Sequence, residues 1–162
     1  MINRSLWKND IVICITLDLD WASEDCIKNT INFLESFDIK STYFLTHPSK
    51  VIMDKIKKAE IHAGIHPNFL MNSSQGKNSD EILDYLKKIH PDADCYRAHK
   101  YFDNNDISDK MVERGFKYDS NLCTKLDLVE PFHHRSGIIR FPIFFEDGAY
   151  LLHKNNLIFK EI

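Results

Sequence analysis

IVICITLDLD, residues 11–20, is the stretch whose reading decides the fold. Residues 11–17 are β-branched or apolar almost without interruption, which predicts a strand buried on both faces, as in a parallel sheet. Two carboxylates, Asp18 and Asp20, follow at once. An acid that ends a buried run emerges at the C-terminal mouth of its strand. Residues two apart on an extended chain project to the same side, so both can face one site. The D-x-D spacing alone carries little weight, since Asp92 and Asp94 repeat it in a polar turn behind Pro91. Position behind an apolar run separates the first pair, which otherwise reads as a solvated strand end.

Outward from this strand the chain alternates. Residues 23–37 place Ile27, Ile31, Leu34 and Phe37 at helical spacing behind Ser23, a plausible N-cap. STYFLT (residues 41–46) is a second strand, SKVIMDKIKKAE a second helix from Ser49, and residues 61–65 a short third strand. NSSQGKNS, from Asn72, reads as a surface loop, and DEILDYLKKI as a helix capped by Ser79. CYRAH is a fourth strand, DISDKMVERG a helix closed by Gly115, FKYDSNL a short strand or loop, and GIIRFPIFF a strand interrupted by Pro142. Such alternation implies parallel strands joined by right-handed crossovers, in an α/β domain whose working residues gather at the C-terminal strand ends. An incomplete or distorted barrel and an open sheet fit equally.

Composition sets the outer bounds. A chain of 162 residues with 43% hydrophobic and 28% charged content makes one globular domain, residues 1–162, and not a disordered one. Net charge of -3 provides no basic field for a nucleic acid partner. No apolar run is long enough to cross a bilayer, and the opening residues make a poor signal peptide. Four scattered cysteines (Cys14, Cys26, Cys95, Cys123) without a C-x-x-C pair then fit reduced thiols in a cytoplasmic protein.

The chemistry rests on combination. His62 and His66, in EIHAGIHPN, are four apart where the third strand ends and converge on one metal if the backbone turns between them; alone they are two loop histidines. Two imidazoles and one carboxylate make a three-ligand set for zinc or a similar divalent ion, with a position left for water. A second carboxylate then serves as general base. Arg97, after the fourth strand, is a cation at the same mouth that orients such a base.

TLDLDWA, HAGIH, YRAHKYF, GFKYDSNL and IIRFPIFFEDG, in that order, resemble the polysaccharide deacetylases of the NodB-homology type (carbohydrate esterase family four), nearest to the branch of surface-polysaccharide biosynthesis. The likeness runs over residues 11–150. It implies a distorted or incomplete (β/α) barrel that lacks its C-terminal strands, since such domains usually run longer. It also implies a metal-dependent hydrolase that removes an N-acetyl group from a sugar by attack of metal-activated water. Carried over, Asp18 matches the catalytic base, Arg97 the arginine that orients it, and His62 and His66 the metal-binding histidines. The family's adjacent aspartates are here split by Leu19, which makes Asp20 the third ligand. His99 stands where the family has proline and is expected to touch substrate. Tyr101 and Asp147, the latter beside Glu146, are expected to line the sugar site, with a backbone N–H near Lys100 or Tyr101 facing the oxyanion. The general acid, a histidine of a final motif, has only substitutes here: His153 first, then His133 and His134.

The expected cofactor is a divalent metal, zinc foremost. The expected partner is an acetylated sugar, oligosaccharide or polysaccharide precursor, and an open sheet edge favours self-association. Two other readings compete: a catalytically impaired relative that binds carbohydrate or metal, and a D-x-D glycosyltransferase that would need neither His62 nor His66.

Overall fold

Short apolar runs and capped helices produce four strand-to-helix passes. β1 (Ile15–Asp18) leads to α1 (Glu24–Glu35), β2 (Ser41–Leu45) to α2 (Lys50–Lys57), and β3 (His62–Ile65) to α3 (Ser79–Ile89). β4 (Cys95–Tyr96) leads through a 3-10 turn (His99–Tyr101) to α4 (Asn105–Glu113), after which come β5 (Tyr118–Asp119), β6 (Phe132–His133) and β7 (Ile139–Arg140). The structure, a computed structural model, describes residues 11–148. One sheet runs in the order β1-β2-β3-β4-β5-β7-β6, parallel throughout except for the antiparallel β6–β7 pair. Among the described residues β1 and β6 stand at its two ends without pairing to each other, so the sheet is not closed. Within the described residues this is the distorted, unclosed form of barrel sheet that the resemblance implies.

Each helix begins where a polar side chain takes over a backbone donor. Ser23 Oγ accepts the Cys26 N–H at 3.3 Å, Ser49 Oγ accepts that of Ile52 at 3.3 Å, and Asn104 Oδ1 accepts that of Ile107 at 2.8 Å. Asn78, and not Ser79, caps α3: Asn78 is extended, its Oδ1 accepts the Glu81 N–H at 3.0 Å, and Ser79 is already helical. The helices pack two clusters of buried side chains against the sheet. Ile27, Ile31, Leu45 and Ile52 centre one, and Ile65, Leu83, Leu86, Tyr96 and Met111 the other.

The first strand differs from its sequence reading. Only Ile15–Asp18 is extended in the sheet, it pairs with β2 alone among the described residues, and Ile11 is 93% exposed. An apolar run cannot reveal whether its strand stands at the centre or the edge of a sheet. Phe37, expected on the buried face of α1, lies past the helix end and is exposed. Gln75, within the polar stretch read as a surface loop, is buried.

Two features lock the sheet near the site. Asp119 on β5 receives Arg140 of β7 in a bidentate pair (Nε–Oδ1 and Nη2–Oδ2, both 2.8 Å), and Arg140 also reaches Asp103 at 2.8 Å. Between β3 and β4, Gly64 permits an approach that no side chain would: an added Cβ would lie 2.4 Å from the Cys95 carbonyl oxygen and 2.6 Å from its Sγ. Because the first of these atoms is backbone, no rotamer relieves the clash. Gly64→Ala is therefore expected to destabilise by about 1–3 kcal/mol through overpacking, read as a lower urea midpoint with an unchanged m-value. A midpoint equal to wild type would contradict this packing.

Candidate metal centre

The site is assembled from the C-terminal ends of β1, β3 and β4. Past β1, Asp20 sits in a tight turn closed by the Ala22 N–H, which donates to the Leu19 carbonyl at 2.8 Å. Past β4, the Phe102 N–H donates to the His99 carbonyl at 3.3 Å. The middle residues of both turns, Asp20–Trp21 and Lys100–Tyr101, hold left-handed φ values of +42°, +61°, +54° and +54°. For residues with a Cβ this conformation costs about 1–2 kcal/mol each. Strain of this kind is kept where it aims side chains at a common point.

That point is defined by three atoms. Asp20 Oδ1 lies 3.2 Å from His66 Nε2 and 3.1 Å from His99 Nδ1, and the two ring nitrogens are 3.3 Å apart. His66 is 1% exposed and fixed through its backbone: its N–H donates to the Leu45 carbonyl at 2.7 Å, and its carbonyl accepts from Gln75 Nε2 at 3.1 Å. Gln75 also donates to the Thr46 carbonyl and accepts the Asn68 N–H, which explains its burial. His99 meets the Trp21 ring edge-to-face at 5.3 Å. The His66 hydrogen bond, joined by the charge of both imidazoles, holds the Asp20 carboxyl below its usual range against the opposing push of burial.

One hard oxygen and two borderline nitrogens suit zinc or a related divalent cation. Three ligands at about 2.0–2.2 Å on a tetrahedral centre lie roughly 3.3–3.5 Å from one another. Edges of 3.1, 3.2 and 3.3 Å therefore need little adjustment to fit. The other nitrogen of His66, Nδ1, is buried without a hydrogen-bond partner among the described residues and faces Asp18 Oδ1 at 3.5 Å. Outer carboxylates commonly orient ligating imidazoles from such a position.

Asp18 is held from a different direction. Arg97 Nη1 donates to Asp18 Oδ1 at 3.0 Å, while the buried guanidinium is itself fixed by Thr16 Oγ1, by the Ser120 hydroxyl and carbonyl, and by the Phe44 ring 4.7 Å away. Sequence reasoning missed the parts played by Thr16 and Gln75 because nothing local marks a polar residue that a distant strand will bury.

Asp18, Asp20, His66, Arg97 and His99 are thus brought to one mouth. His62 is not, which corrects the expected imidazole pair. His62 opens β3 opposite Thr42, whereas His66 lies just past the strand's far end. Four residues of extended chain separate them by about 13 Å. His62 is exposed at that other end, with Nε2 3.6 Å from Asp94 Oδ1. His99, expected to touch substrate, forms the third corner of the donor triangle. Tyr101 follows directly; burial pushes its phenol far above the ordinary range, and the charge of Glu146 adds to the rise. Its N–H already donates to the Ala98 carbonyl at 2.9 Å, so of the two proposed oxyanion donors only that of Lys100 remains. Asp147 is exposed and accepts the neighbouring Gly148 N–H. His133 lies exposed on β6, His134 bonds Ser136, and His153 falls outside the described residues.

A sequence model of the WbmS-like polysaccharide deacetylases matches residues 15–161. Among solved structures, a proposed polysaccharide deacetylase involved in O-antigen biosynthesis, from Bordetella bronchiseptica, is similar with a TM-score of 0.78 and 27% identity; the match covers 86% of this chain and 60% of that one. A proposed polysaccharide deacetylase from Mycobacterium smegmatis is similar in fold, with a TM-score of 0.51 at 19% identity over 80% of this chain and 57% of that one. The chain therefore spans less than two thirds of the length of either protein. No curated protein matches it.

Proposed function

The chain belongs to the WbmS-like polysaccharide deacetylases, and from that membership we propose that it hydrolyses an N-acetyl group from a sugar of a surface polysaccharide or its precursor. Asp20, His66 and His99 hold the divalent cation, zinc by preference. The observation that carries this reading is the triangle of donor atoms with edges of 3.1–3.3 Å at the mouth of the sheet. When bound, such a cation supplies Lewis acidity beside the scissile amide and makes a nearby water more acidic.

The remaining work falls to the chain's own groups. Asp18, beside the triangle and outside it, takes the proton of the attacking water. Arg97 and His66 occupy its Oδ1 side, which leaves Oδ2 for that proton. Water oxygen bonds to the acetyl carbon, the carbon–nitrogen bond breaks, and the proton on Asp18 passes to the departing amine. The Lys100 N–H faces the carbonyl oxygen as it gains charge. A D-x-D glycosyltransferase would place both acids on its metal, whereas here Asp18 is engaged by Arg97. Among the described residues no helix is long and apolar enough to cross a membrane. A cytoplasmic site of action is part of this proposal.

The test is acetate release from N-acetylated oligosaccharides by the protein supplied with zinc, cobalt or manganese. We expect release that a chelator abolishes, that re-added metal restores, and that His62→Ala leaves intact while His99→Ala removes it. Release that survives in His99→Ala and vanishes in His62→Ala would overturn the ligand set; none with any metal would overturn the activity.

A further inference from the structure

The end of the sheet away from the metal centre carries a second gathering of donor atoms. His62 opens β3, Asp94 precedes β4, and Cys95 begins it. One ligand atom from each of these side chains lies within 4.8 Å of the other two. None of the three has a part in the proposed deacetylation.

Gly64 is what brings them together. His62 and Gly64, two apart on β3, project to one face of the sheet. A Cβ at Gly64 would lie 2.6 Å from Cys95 Sγ, so the sulfur leans across the seam into the space the glycine leaves, on the His62 face. Cys95 is a free thiol, 6% exposed, and its sulfur makes no hydrogen bond among the described residues. Asp94 Oδ1 lies 3.6 Å from His62 Nε2, and Lys117 Nζ lies 3.7 Å from Asp94 Oδ2. Both contacts exceed hydrogen-bond length, which leaves the carboxylate oxygens available. Burial, reinforced by the Asp94 charge, pushes the Cys95 thiol up to about 12. A divalent cation reverses that balance, since it opposes the carboxylate and takes the thiolate, whose proton passes to solvent.

Thiolate sulfur, imidazole nitrogen and carboxylate oxygen together suit zinc or another borderline divalent ion, and not calcium or magnesium. Such ligands, at about 2.0–2.3 Å from a tetrahedral centre, stand roughly 3.3–3.6 Å apart. The His62 and Asp94 side chains, 61% and 32% exposed, have room to close onto the fixed sulfur. We propose that His62, Asp94 and Cys95 form a second cation site, weaker than the Asp20 triangle, that pins the start of β3 to the start of β4. It is weaker because its donors start farther apart and its thiol must give up a proton. The seam it fastens is short: among the described residues β3 and β4 pair in register only at Ile65 with Tyr96. The deacetylase reading plays no part in this site, and its test uses no substrate.

Cobalt(II) tells the two sites apart. A thiolate ligand gives it a near-ultraviolet charge-transfer band that the oxygen and nitrogens of Asp20, His66 and His99 do not. The full chain, reduced and freed of metal, is titrated with cobalt chloride. We expect the band in the wild-type protein, in His99→Ala, and in the triple variant Cys14→Ser, Cys26→Ser, Cys123→Ser. Cys95→Ser is expected to remove it. His62→Ala, a change at an exposed position, is expected to weaken the cobalt affinity read from this band about ten-fold or more. No band in the wild-type protein, a band that survives in Cys95→Ser or vanishes in His99→Ala, or an affinity unchanged in His62→Ala would overturn the site.

Discussion

Asp18→Asn is expected to lower kcat for acetate release by about 10²–10⁴-fold, the range for loss of a general acid–base group. The substitution is nearly isosteric. It keeps an oxygen for Arg97, which approaches Asp18 Oδ1 at 3.0 Å, but removes the basic site that takes the water proton. Because Asp18 stands outside the triangle of Asp20, His66 and His99, zinc affinity should stay within a few-fold of wild type, and calorimetric titration checks this. Loss of turnover with metal binding intact identifies the base. Turnover at the wild-type level would remove Asp18 from the reaction, and a parallel collapse of zinc affinity would make it a ligand.

Arg140→Ala is expected to destabilise the fold by about 3–5 kcal/mol, since it leaves buried charge without its partner. The Asp119 side chain is fully buried, and Arg140 meets it with three hydrogen bonds and also meets Asp103. Burial works against the charged guanidinium, yet the Asp119 and Asp103 carboxylates outweigh it and hold Arg140 above the ordinary arginine range. Without Arg140 two acids face each other beside the buried Tyr96 hydroxyl, which reaches Asp119 at 3.4 Å. Joint replacement by apolar residues, Asp119→Leu with Arg140→Met, should recover much of the loss, because the cost lies in unpaired charge. Urea denaturation of the three proteins measures both effects. A loss below about 1 kcal/mol for Arg140→Ala would place this pair with weak exposed ones. The pair bears on the site as well, since Asp103 follows the turn that carries His99.

The parts of this molecule legible in sequence are those with local causes. Ser23 and Ser49 cap the helices they precede because a hydroxyl can answer a backbone donor three residues on, whatever the rest of the chain does. Asp18 and Asp20 emerge at the strand mouth because an acid cannot continue a buried run. What failed depends on the path of the backbone or on distant partners. The four-residue spacing of His62 and His66 would converge on a helix or around a turn, but residues 62–65 are extended. His99 carried a readable signal, an imidazole just past the fourth strand. Its pairing with Asp20 nevertheless required the left-handed turn at Lys100–Tyr101, and no residue there is a glycine that would announce it. Gln75 sits in a run of polar residues and is buried only because the carbonyls of Thr46 and His66 await its amide.

The account turns on which side chains share the cation, and anomalous diffraction from crystals soaked in zinc or cobalt measures that directly. We predict one strong peak at about 2.0–2.2 Å from Asp20 Oδ1, His66 Nε2 and His99 Nδ1. A principal peak beside His62, Asp94 and Cys95 at the opposite end of the strands, with none at the Asp20 triangle, would contradict it.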